Sequence, residues 1–430
     1  MVEKRIPLAV SQAVQHIMNY ASEGPEEYVS LESAYTRFLA QDIAADQDVP
    51  PFNRSPYDGF AIRAMDSQSA SAEQAVRFKV VGTIGAGFVF EERVQAFEAV
   101  RIMTGAPIPL GCDAVVMLEL TMNEEVDGQA FMSIKRPYTT GTNISYQGED
   151  VKKGDILIEK GQSINPGIVA LLATFGYAEV PVFRKPIVGI IATGSELLEP
   201  NEALVPGKIR NSNAYMTMAQ IERAGATVKY FGKFSDDLAV CIDVVKEALS
   251  EVDLLITTGG VSVGDFDHLP AIYAALEAEV LFNKVAMRPG SVTTVAALNG
   301  QLLFGLSGNP SACYVGFELF VKPIIRRILG SAKPHLRKEK ALLGEDFTKA
   351  NPFTRFVRAT IHFANGQLIA TPSGFNKSSA VSSLATADAF IVLPGGSRGY
   401  EKEMLVDVLL LDDLQGSEWP WDNITKYSKL

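Results

Sequence analysis

The pattern of apolar and polar positions changes several times along the chain. Near the start, apolar residues recur at helical spacing from about Leu8 to Gly24, and a second short helix is predicted over Leu31 to Leu39. From Ala44 to about Tyr146, short β-rich segments are separated by glycine, proline and asparagine, which predicts a compact β-domain. The segment from Gly148 to Gly176 then predicts a turn, a strand and a helix.

The pattern is clearest from Pro186 to about Gly330, where apolar strands alternate with helical segments. The predicted strands contain "IVGIIAT", "TVKYFGKF", "DLLITTGG" and "LLFGLSG". The predicted helices contain "NAYMTMAQIERAG", "LAVCIDVVKEALS", "LPAIYAALEAE" and "ACYVGFELFVKPIIRRILG". Such alternation predicts right-handed strand–helix–strand units and a doubly wound, mostly parallel sheet. After Lys333-Pro334 a β-rich stretch runs to about Leu411, and no element is predicted for the tail beyond it.

Composition and charge narrow the class of protein. The chain has 430 residues, of which 47% are hydrophobic and 21% charged, and this predicts about three globular domains. Its formal net charge of −11 argues against a general nucleic-acid-binding protein, because such proteins neutralise phosphates with lysine and arginine. The chain has no apolar segment of the ~20 residues that a membrane span needs and no signal-peptide pattern, so a cytoplasmic protein is expected. Cys112, Cys241 and Cys313 form no CxxC pair, which predicts neither a disulfide framework nor a thiolate zinc site.

Three loops follow strands of the predicted sheet, at the carboxyl edge where open α/β sheets bind ligands. In the first loop, Thr193, Gly194 and Ser195 offer backbone amides and hydroxyl groups, and Glu196 adds a carboxylate. The alternative is a simple turn in which Glu196 is a solvated surface residue.

The second loop is rich in glycine, which permits the positive φ angles and close backbone approach that a phosphate or a pterin ring exploits. Its glycine and hydroxyl positions are Gly259, Gly260, Ser262 and Gly264. Asp265 and Asp267 follow at the predicted start of a helix. Their carboxylates suit Mg²⁺, which prefers oxygen ligands, unless they only cap that helix.

The third loop leads directly into a helix. Gly308, Asn309 and Pro310 precede a segment whose N-terminal amides form an anion pocket, although Pro310 is also common at the start of a helix. Three such loops at one sheet edge predict a ligand site more strongly than any one of them alone.

Charged residues accompany these loops. Lys284 and Arg288 supply positive charge beside the turn Pro289-Gly290, which fits a phosphate-bearing or oxyanionic substrate unless both are solvated surface charges. Asp236 and its neighbour Asp237 precede a predicted helix, and one of the two is expected to be only the cap of that helix.

The candidate residues outside the central region are weaker. Asp58 lies in a proline-rich turn, and Thr104 lies in a tight turn after a predicted strand. In the C-terminal β-rich stretch, Arg358 and the hydroxyl cluster that contains Ser378 are candidates. The four histidines show no metal-ligand spacing and are expected to be structural or surface residues.

These motifs, in this order, resemble the molybdopterin molybdenumtransferase family, which includes the MoeA proteins and the gephyrin E domain. The resemblance runs from about Arg5 to Leu411. The motifs that carry it are "RSPYDGFA", "RIMTGAPIP", "GEDVKKGD", "IIATGSELLEP", "GKIRNSN", "TTGGVSVGDFD", "MRPGS", "GLSGNPSAC" and "SSLATADAFIVLPGG". The central region alone also resembles molybdopterin adenylyltransferases and competence-damage-type proteins that hydrolyse pyridine nucleotides. The first two motifs distinguish the transferases from both.

The resemblance implies an α/β multidomain fold. It places an elongated linking domain at residues 1–45 plus 147–183, a small β-rich domain at 46–146, a molybdopterin-binding α/β domain at 184–330, a C-terminal β-barrel-like domain at 331–412 and a tail at 413–430. It also implies an elongated homodimer in which two subunits share each active site.

The resemblance further implies that adenylylated molybdopterin reacts with molybdate, in the presence of Mg²⁺, to give molybdenum cofactor and AMP. A molybdopterin adenylyltransferase would be a partner of such an enzyme. By motif position, the implied catalytic residues are Asp58, Thr104, Glu196, Asp236 and Asp265, and the implied metal ligands are Glu196, Asp265 and Asp267. The implied substrate-binding residues are Thr193, Gly194, Ser195, Gly259, Gly260, Ser262, Gly264, Lys284, Arg288, Pro289, Ser291, Gly308, Asn309, Pro310, Arg358 and Ser378.

Three motifs depart from the family pattern. Pro56 and Tyr57 stand where the family often has alanine and methionine, and Ser307 interrupts its Gly-Leu-Pro-Gly-Asn-Pro motif. The family's Lys-Pro-Gly-Lys-Pro motif is here Arg-Pro-Gly-Ser-Val, so Ser291 replaces the second lysine. This replacement lowers the positive charge of the implied molybdate pocket.

Two other functions stay open from the sequence. One is a molybdopterin adenylyltransferase, which acts on ATP one step earlier, and the other is a non-catalytic scaffold or cofactor carrier on the same fold. The presence of Asp58, Glu196 and Asp265 favours an enzyme over a scaffold.

Overall fold

The alternating strands and helices predicted between residues 186 and 330 are present in the structure. This computed structural model describes residues 6–234, 238–259, 269–349, 352–413, 415–422, 424 and 428–429. The chain forms two compact units: the first comprises Met1–Gln41, Lys160–Ala173 and Tyr177–Leu430, and the second comprises Asp42–Glu159 and Thr174–Gly176. The finer division into four domains and a tail stays a prediction.

A six-stranded sheet forms the centre of the first unit. Its strands, in spatial order, are Thr227–Phe234, Ile187–Thr193, Leu254–Thr258, Gln301–Leu306, Thr294–Leu298 and Glu279–Phe282. The first four strands are parallel, and the last two pair in antiparallel fashion. The prediction of a doubly wound, mostly parallel sheet is therefore confirmed, with an antiparallel edge added to it.

Both faces of this sheet are buried, because successive residues of each strand enter different hydrophobic cores. Ile190 and Ile256 belong to one core, and Ile191 and Leu255 belong to the other. The helices that contribute to the first core include Ser212–Ala224 and Pro310–Gly316, and those of the second are Leu238–Leu249 and Leu269–Ala275. This arrangement leaves the carboxyl ends of the parallel strands together at one edge.

The C-terminal part of the first unit contains a closed barrel of five strands. In order around the barrel they are Thr354–Ala364, Gln367–Pro372, Arg337–Leu343, Met404–Leu410 and Ala389–Leu393, and the last strand pairs back to the first. Two short strands extend the barrel sheet, because Met287–Arg288 pairs in parallel with the first strand and Ser428–Lys429 pairs with the fourth. The predicted C-terminal β-barrel is confirmed.

A second six-stranded sheet forms the second unit, where the β-rich segment was predicted. Its strands, in spatial order, are Ala114–Met117, Gly59–Ile62, Glu98–Ile102, Val76–Ile84, Gln129–Ile134 and Met122–Val126. Both faces of its central strands are covered, since Phe60 and Ile62 enter one core while Ala61 and Val100 enter another.

The remaining elements are short. The other helices are Val10–Met18, Pro166–Thr174 and Lys322–Ile328, the last of which follows a π-helical segment at Phe317–Val321. Short 3₁₀ segments are Leu31–Ser33, Ala64–Ser67, Leu118–Leu120 and Ser382–Leu384. The two-stranded pairs are Glu26–Ser30 with Glu179–Phe183, Ile43–Ala44 with Ile156–Ile158, and Leu197–Leu198 with Ile209–Arg210.

The helix predicted over Leu31 to Leu39 was wrong. Helical geometry covers only Leu31–Ser33, and Thr36 has a φ of 67°, which no α-helix accommodates. The backbone then pairs with a distant segment instead of with itself, because the Leu39 N–H donates to Gln162 O at 3.0 Å and Phe38 bridges to Ser163. Tertiary pairing therefore overrides the local helical spacing of the apolar residues.

The tail, for which the sequence predicts no element, packs against the first unit. Trp421 is only 9% exposed and joins the same hydrophobic core as Val14 and Ile190. Ser417 and His335 exchange backbone hydrogen bonds of 3.0 and 3.2 Å. No helix in the described part of the chain is both long enough and apolar enough to cross a membrane. The three cysteines are free thiols.

Candidate substrate pocket and a polar turn

A pocket of about 900 Å³ opens in the first unit at the carboxyl edge of the central sheet. This volume lies within the range of about 300–1,000 Å³ that is usual for small-molecule and cofactor sites. Of the predicted site residues, those that line the pocket are Thr193, Gly194, Ser195, Glu196, Gly259, Arg288, Pro289, Ser291, Gly308, Asn309, Arg358 and Ser378. The structure thus brings together the first and third strand-end loops, the first glycine of the second, the basic loop and part of the barrel.

Two hydrogen bonds hold the first loop in place. The Thr193 hydroxyl donates to Thr258 O at 3.3 Å, and Lys208 Nζ donates to Ser195 O at 2.6 Å. Gly194 has a φ of +143°, and a Cβ atom there would lie 2.5 Å from a carboxylate oxygen of Glu196. Glycine at this position therefore leaves room for the Glu196 side chain at the pocket wall.

The second loop begins with a glycine, and any other residue at this position would force the backbone to move. Gly259 has a φ of +93°, and an added Cβ would lie 2.5 Å from the carbonyl oxygen of Thr193. The two strand ends therefore approach each other more closely than any side chain would allow. The rest of this loop lies outside the described residues, as do the predicted site residues Gly260, Ser262, Gly264, Asp265, Asp267 and Asp236.

The third loop is fixed by one hydrogen bond from a helix side chain and by one within the loop. Asn213 Nδ2 donates to Gly308 O at 2.8 Å, and the Asn309 N–H donates to the Ser307 hydroxyl at 3.3 Å. Ser307, which interrupts the family motif, thus makes a local hydrogen bond that a proline would not. Pro310 begins the following helix and is not part of the pocket lining.

The basic loop reaches the pocket through Arg288, Pro289 and Ser291 but not through Lys284. Lys284 lies earlier in the loop, where its carbonyl oxygen accepts a 3.0 Å hydrogen bond from the Leu8 N–H. The pairing of Met287–Arg288 with the barrel strand fixes Arg288 at the boundary between the basic loop and the barrel.

Arg358 is fully buried, and its guanidinium group is largely occupied by the pocket loop of the barrel. Its Nε donates to the Ser383 hydroxyl at 3.0 Å, and its Nη2 donates to the carbonyl oxygens of Phe375 and Lys377 at 3.1 and 3.3 Å. Burial lowers the pKa of Arg358 from its ordinary value. Ser378 lies in the same loop, and its carbonyl oxygen accepts a 3.0 Å hydrogen bond from the Ser311 N–H.

The polar lining residues that were not predicted as site residues include Arg355, Asn376 and Lys377. Asn376 and Lys377 immediately precede the hydroxyl cluster that was singled out, so that signal was present. Arg355 had no such signal, because its position depends on how the basic loop pairs with the barrel. Met287 lies beside Thr354, and Arg288 lies directly beside Arg355.

The described lining of the pocket is positively charged. It carries Arg288, Arg355, Arg358 and Lys377 but only one carboxylate, that of Glu196. Such a surface favours an anionic ligand in a protein whose net charge is −11. Among the described residues, no group of three or more His, Cys, Asp or Glu side chains could hold a metal ion.

In the second unit, two predicted residues meet in one turn. Asp58 ends the proline-rich turn, and its Oδ1 accepts hydrogen bonds from the Thr104 N–H at 2.8 Å and from the Thr104 hydroxyl at 3.0 Å. Further backbone bonds tie the two turns together, with Ser55 donating to Ala106 O at 3.0 Å and accepting from the Gly105 N–H at 2.8 Å. Two motifs that are weak separately therefore form a single polar turn.

Hydrogen bonding sets the charge of this turn. The Thr104 N–H, then its hydroxyl group and the nearby Arg101, lower the pKa of Asp58 from its ordinary value. Both Asp58 and Thr104 are exposed, so the carboxylate faces solvent in its ionised form.

Three family models match the chain. Residues 8–176 match the MoeA N-terminal region (domain I and II), residues 189–327 match a probable molybdopterin binding domain, and residues 340–411 match the MoeA C-terminal region (domain IV). These matches together span both the motif pair of the second unit and the pocket loops of the first.

Two curated relatives are similar over nearly their whole length. A molybdopterin molybdenumtransferase of Bacillus subtilis (strain 168) is 61% identical over 430 residues, which is 100% of both chains. A molybdopterin molybdenumtransferase of Staphylococcus aureus (strain COL) is 54% identical over 412 residues, covering 96% of this chain and 97% of the relative.

Two crystal structures of a molybdopterin biosynthesis MoeA protein from Pyrococcus horikoshii have the same fold. One is 30% identical with a TM-score of 0.82 and covers 95% of this chain, and the other is 31% identical with a TM-score of 0.79 and covers 94%. Each is matched over 100% of its own length.

Proposed function

The chain belongs to the MoeA family of molybdopterin molybdenumtransferases, an enzyme family of molybdenum cofactor biosynthesis, and from this premise we propose how its pocket serves molybdenum insertion. The substrates that we assign are adenylylated molybdopterin and molybdate. The products are molybdenum cofactor and AMP.

The observation that carries this proposal is the convergence of three strand-end loops on one cationic pocket. Adenylylated molybdopterin carries a pyrophosphate linkage, and molybdate is a tetrahedral oxyanion, so both need positive charge and hydrogen-bond donors. The pocket offers four cationic side chains, and its volume of about 900 Å³ is sufficient for a nucleotide-linked pterin.

We assign the strand-end loops to the pterin and its pyrophosphate. At Gly259 and Gly308 no side chain covers the backbone. The two glycines are also close together, since a Cβ atom added to Gly308 would lie 3.6 Å from the Cα atom of Gly259. Thr193 and Ser195 add hydroxyl groups at the same edge. Backbone amides and hydroxyl groups of this kind orient phosphate oxygens without adding charge of their own.

We assign molybdate to the side of the pocket formed by the basic loop and the barrel. Arg288 supplies charge, Ser291 supplies a hydroxyl donor, and Arg358 holds the loop that contains Ser378. The dithiolene sulfurs of the substrate are the nucleophiles, so no protein nucleophile is required. The protein's part is to hold the two anions close together and to keep them oriented.

Mg²⁺ fits the donors present, because Glu196 and the hydroxyl groups of Thr193 and Ser195 are all oxygen ligands. Mg²⁺ usually binds through one or two carboxylates together with substrate phosphates, and one carboxylate is what the described lining supplies. When bound, it would neutralise charge on the pyrophosphate as that linkage breaks. Asp265 and Asp267 stay predicted ligands outside the described residues.

We further propose a homodimer in which the Asp58–Thr104 turn of one subunit completes the pocket of the other. The exposure of both side chains supports this role, since the ionised carboxylate is accessible to a group from another subunit. A molybdopterin adenylyltransferase is the proposed partner that supplies the substrate, in the cytoplasm.

The direct test is AMP release from adenylylated molybdopterin. Purified protein with Mg²⁺ should release AMP only when molybdate is added, and Glu196→Gln should reduce this release strongly because the pocket loses its described carboxylate. A parallel reaction with ATP and molybdopterin should release no pyrophosphate. Pyrophosphate release, or AMP release that ignores molybdate, would contradict the proposal.

The two other functions are not favoured. The central region alone is shared with adenylyltransferases, but this chain also matches the MoeA N-terminal and C-terminal regions. A non-catalytic scaffold is not favoured either, because the relatives that are similar over the whole chain are molybdopterin molybdenumtransferases.

A further inference from the structure

Two arginines lie side by side in the pocket where the basic loop joins the barrel. Arg288 and Arg355 are paired across two parallel strands, and both line the pocket. Like charges directly opposite each other in a sheet are destabilising unless something of opposite charge lies between or above them. The pairing is therefore unfavourable in the protein alone.

Neither arginine has an acidic partner among the described residues. No described carboxylate lies within 4.0 Å of the guanidinium nitrogens of the exposed Arg288 or the half-buried Arg355. By contrast, Arg184, Arg327 and Arg337 of this unit, which are also half-buried, each form an ion pair. Arg337 on the same barrel, for example, contacts Glu339 at 2.6 Å and Asp413 at 3.2 Å. The two pocket arginines thus carry charge that no described residue neutralises.

Arg355 also has a donor with no described partner. Its Nε is buried and makes no hydrogen bond to any described residue, and its guanidinium carbon lies 5.4 Å from the centre of the Phe347 ring. A buried donor without an acceptor is destabilising, because it has lost its hydrogen bonds to water. Burial, and then the neighbouring Arg288, lower the pKa of Arg355 from its ordinary value.

Arg358 is less available than Arg288 and Arg355 to bind an anion in the pocket. Three hydrogen bonds to Ser383, Phe375 and Lys377 occupy two of its nitrogens, so it mainly positions the pocket loop. Ser291, which stands where the related motif has its second lysine, contributes a hydroxyl group and no charge. Of the other described cations of the lining, Arg355 is the one that is paired directly with Arg288.

We propose that Arg355 is a substrate-binding residue, and that its guanidinium group and that of Arg288 together bind one tetrahedral oxyanion. In this arrangement Arg355 replaces the charge that the motif loses at Ser291. The oxyanion has two sources on the proposed function on which this inference rests: molybdate itself, or a phosphate of the adenylylated substrate. Planar guanidinium groups suit either, because each can donate two parallel hydrogen bonds to such an anion.

The test measures binding of two probes, sodium molybdate and inorganic pyrophosphate, by calorimetry at fixed ionic strength. Arg355→Met keeps the side-chain stem against Phe347 and removes the charge. We expect it to weaken binding of one probe by about 10- to 100-fold, the effect of losing a charge-assisted hydrogen bond. Arg288→Met should weaken the same probe, and Arg355→Lys should retain part of the affinity.

A matched control and a restoring variant sharpen the result. Arg337→Met removes a barrel arginine that already has carboxylate partners, so it should leave both affinities unchanged. Ser291→Lys in the Arg355→Met background should restore binding, because it returns a cation to the same wall of the pocket. A purely structural role for Arg355 would not be restored in this way.

Weakened molybdate binding would assign the arginine pair to molybdate, and weakened pyrophosphate binding would assign it to the substrate phosphate. If Arg355→Met changes neither affinity by more than about twofold, or if the unaltered protein binds neither probe, the inference is overturned. Binding is measured without turnover, so a protein that binds the probes but releases no AMP would refute the proposed function and leave this inference standing.

Discussion

Two hydrogen bonds from Thr104 keep the carboxylate of Asp58 ionised. Thr104 donates to only one of its carboxylate oxygens, and among the described residues no hydrogen bond reaches the other. Because its pKa is lowered, the charge of Asp58 persists as the pH falls to the ordinary range of a carboxylic acid and is lost only below it. Asp58 therefore presents a constant negative charge to a ligand at neutral pH.

Replacing Asp58 with asparagine should abolish transfer without unfolding the protein. The amide oxygen of Asp58→Asn can still accept from Thr104, so the turn keeps its shape while the charge is lost. We expect AMP release to fall by roughly 100-fold or more, the size of effect typical of removing a positioned catalytic group. Glu125→Gln, which alters an exposed strand residue of the same unit, is the control and should be unaffected.

A mixing experiment distinguishes a shared site from a site within one chain. Subunits with Asp58→Asn and subunits with Glu196→Gln should each be inactive, and mixed dimers should regain AMP release if one subunit supplies Asp58 and the other Glu196. Wild-type-like turnover by Asp58→Asn alone, with an intact dimer by light scattering, would remove Asp58 from the site.

At the scale of elements, the pocket depends on how closely two strand ends approach. Gly259 follows the strand Leu254–Thr258, and the carbonyl oxygen of Thr193 lies where its Cβ would be. The parallel pairing of these strands brings Ala192 beside Thr258, so the clash cannot be relieved by a side-chain rotation. Both strands would have to separate.

Gly259→Ala should therefore widen the pocket edge and weaken substrate binding. Gly300→Ala is a matched control, because Gly300 has a similar φ of +86° but no atom within 4 Å of an added Cβ. Both variants should lose about 1 kcal/mol or more of stability from the positive φ, but only Gly259→Ala should raise the KM for adenylylated molybdopterin. Equal KM values in the two variants would show that the close approach is unimportant for binding.

Elements with strong periodicity could be predicted from the sequence, whereas pairings between distant segments could not. The helix Ser212–Ala224 and the strand Ile187–Thr193 follow from spacing alone, because each buries an apolar stripe or run against the sheet core. The segment from Leu31 to Leu39 has similar spacing, yet its backbone pairs with residues near Gln162. Arg355 was missed for the same reason, since only the register of two distant strands places it beside Arg288.

At the scale of the whole molecule, the tail is attached to the first unit through an uncharged histidine. The ring of His335 lies edge-to-face with Trp419 and Trp421, at centroid distances of 5.6 and 6.4 Å. Burial among these rings lowers the pKa of His335 from 6.5 to about 4. Protonation of His335 is therefore unfavourable in the folded state.

This burial predicts a loss of stability in mild acid. Because the folded pKa of His335 is below its unfolded value, its contribution is complete above about pH 6.5 and is lost as the pH falls toward 4. The expected loss at pH 5 is about 2 kcal/mol relative to pH 7.5, measured by urea unfolding. His335→Leu, which cannot be protonated, should remove this part of the pH dependence, and an unchanged dependence would contradict the assignment.

The core of the first unit also constrains the order in which a ribosome can produce a folded protein. Val14 and Trp421 belong to one hydrophobic cluster, although nearly the whole chain is synthesised between them. The second unit, by contrast, draws almost all of its residues from Asp42–Glu159 and can become compact while the rest is still being translated. The nascent helix Val10–Met18 must therefore keep its apolar face uncovered until its partners, Glu279–Phe282, Phe317–Val321 and Lys322–Ile328, have been synthesised.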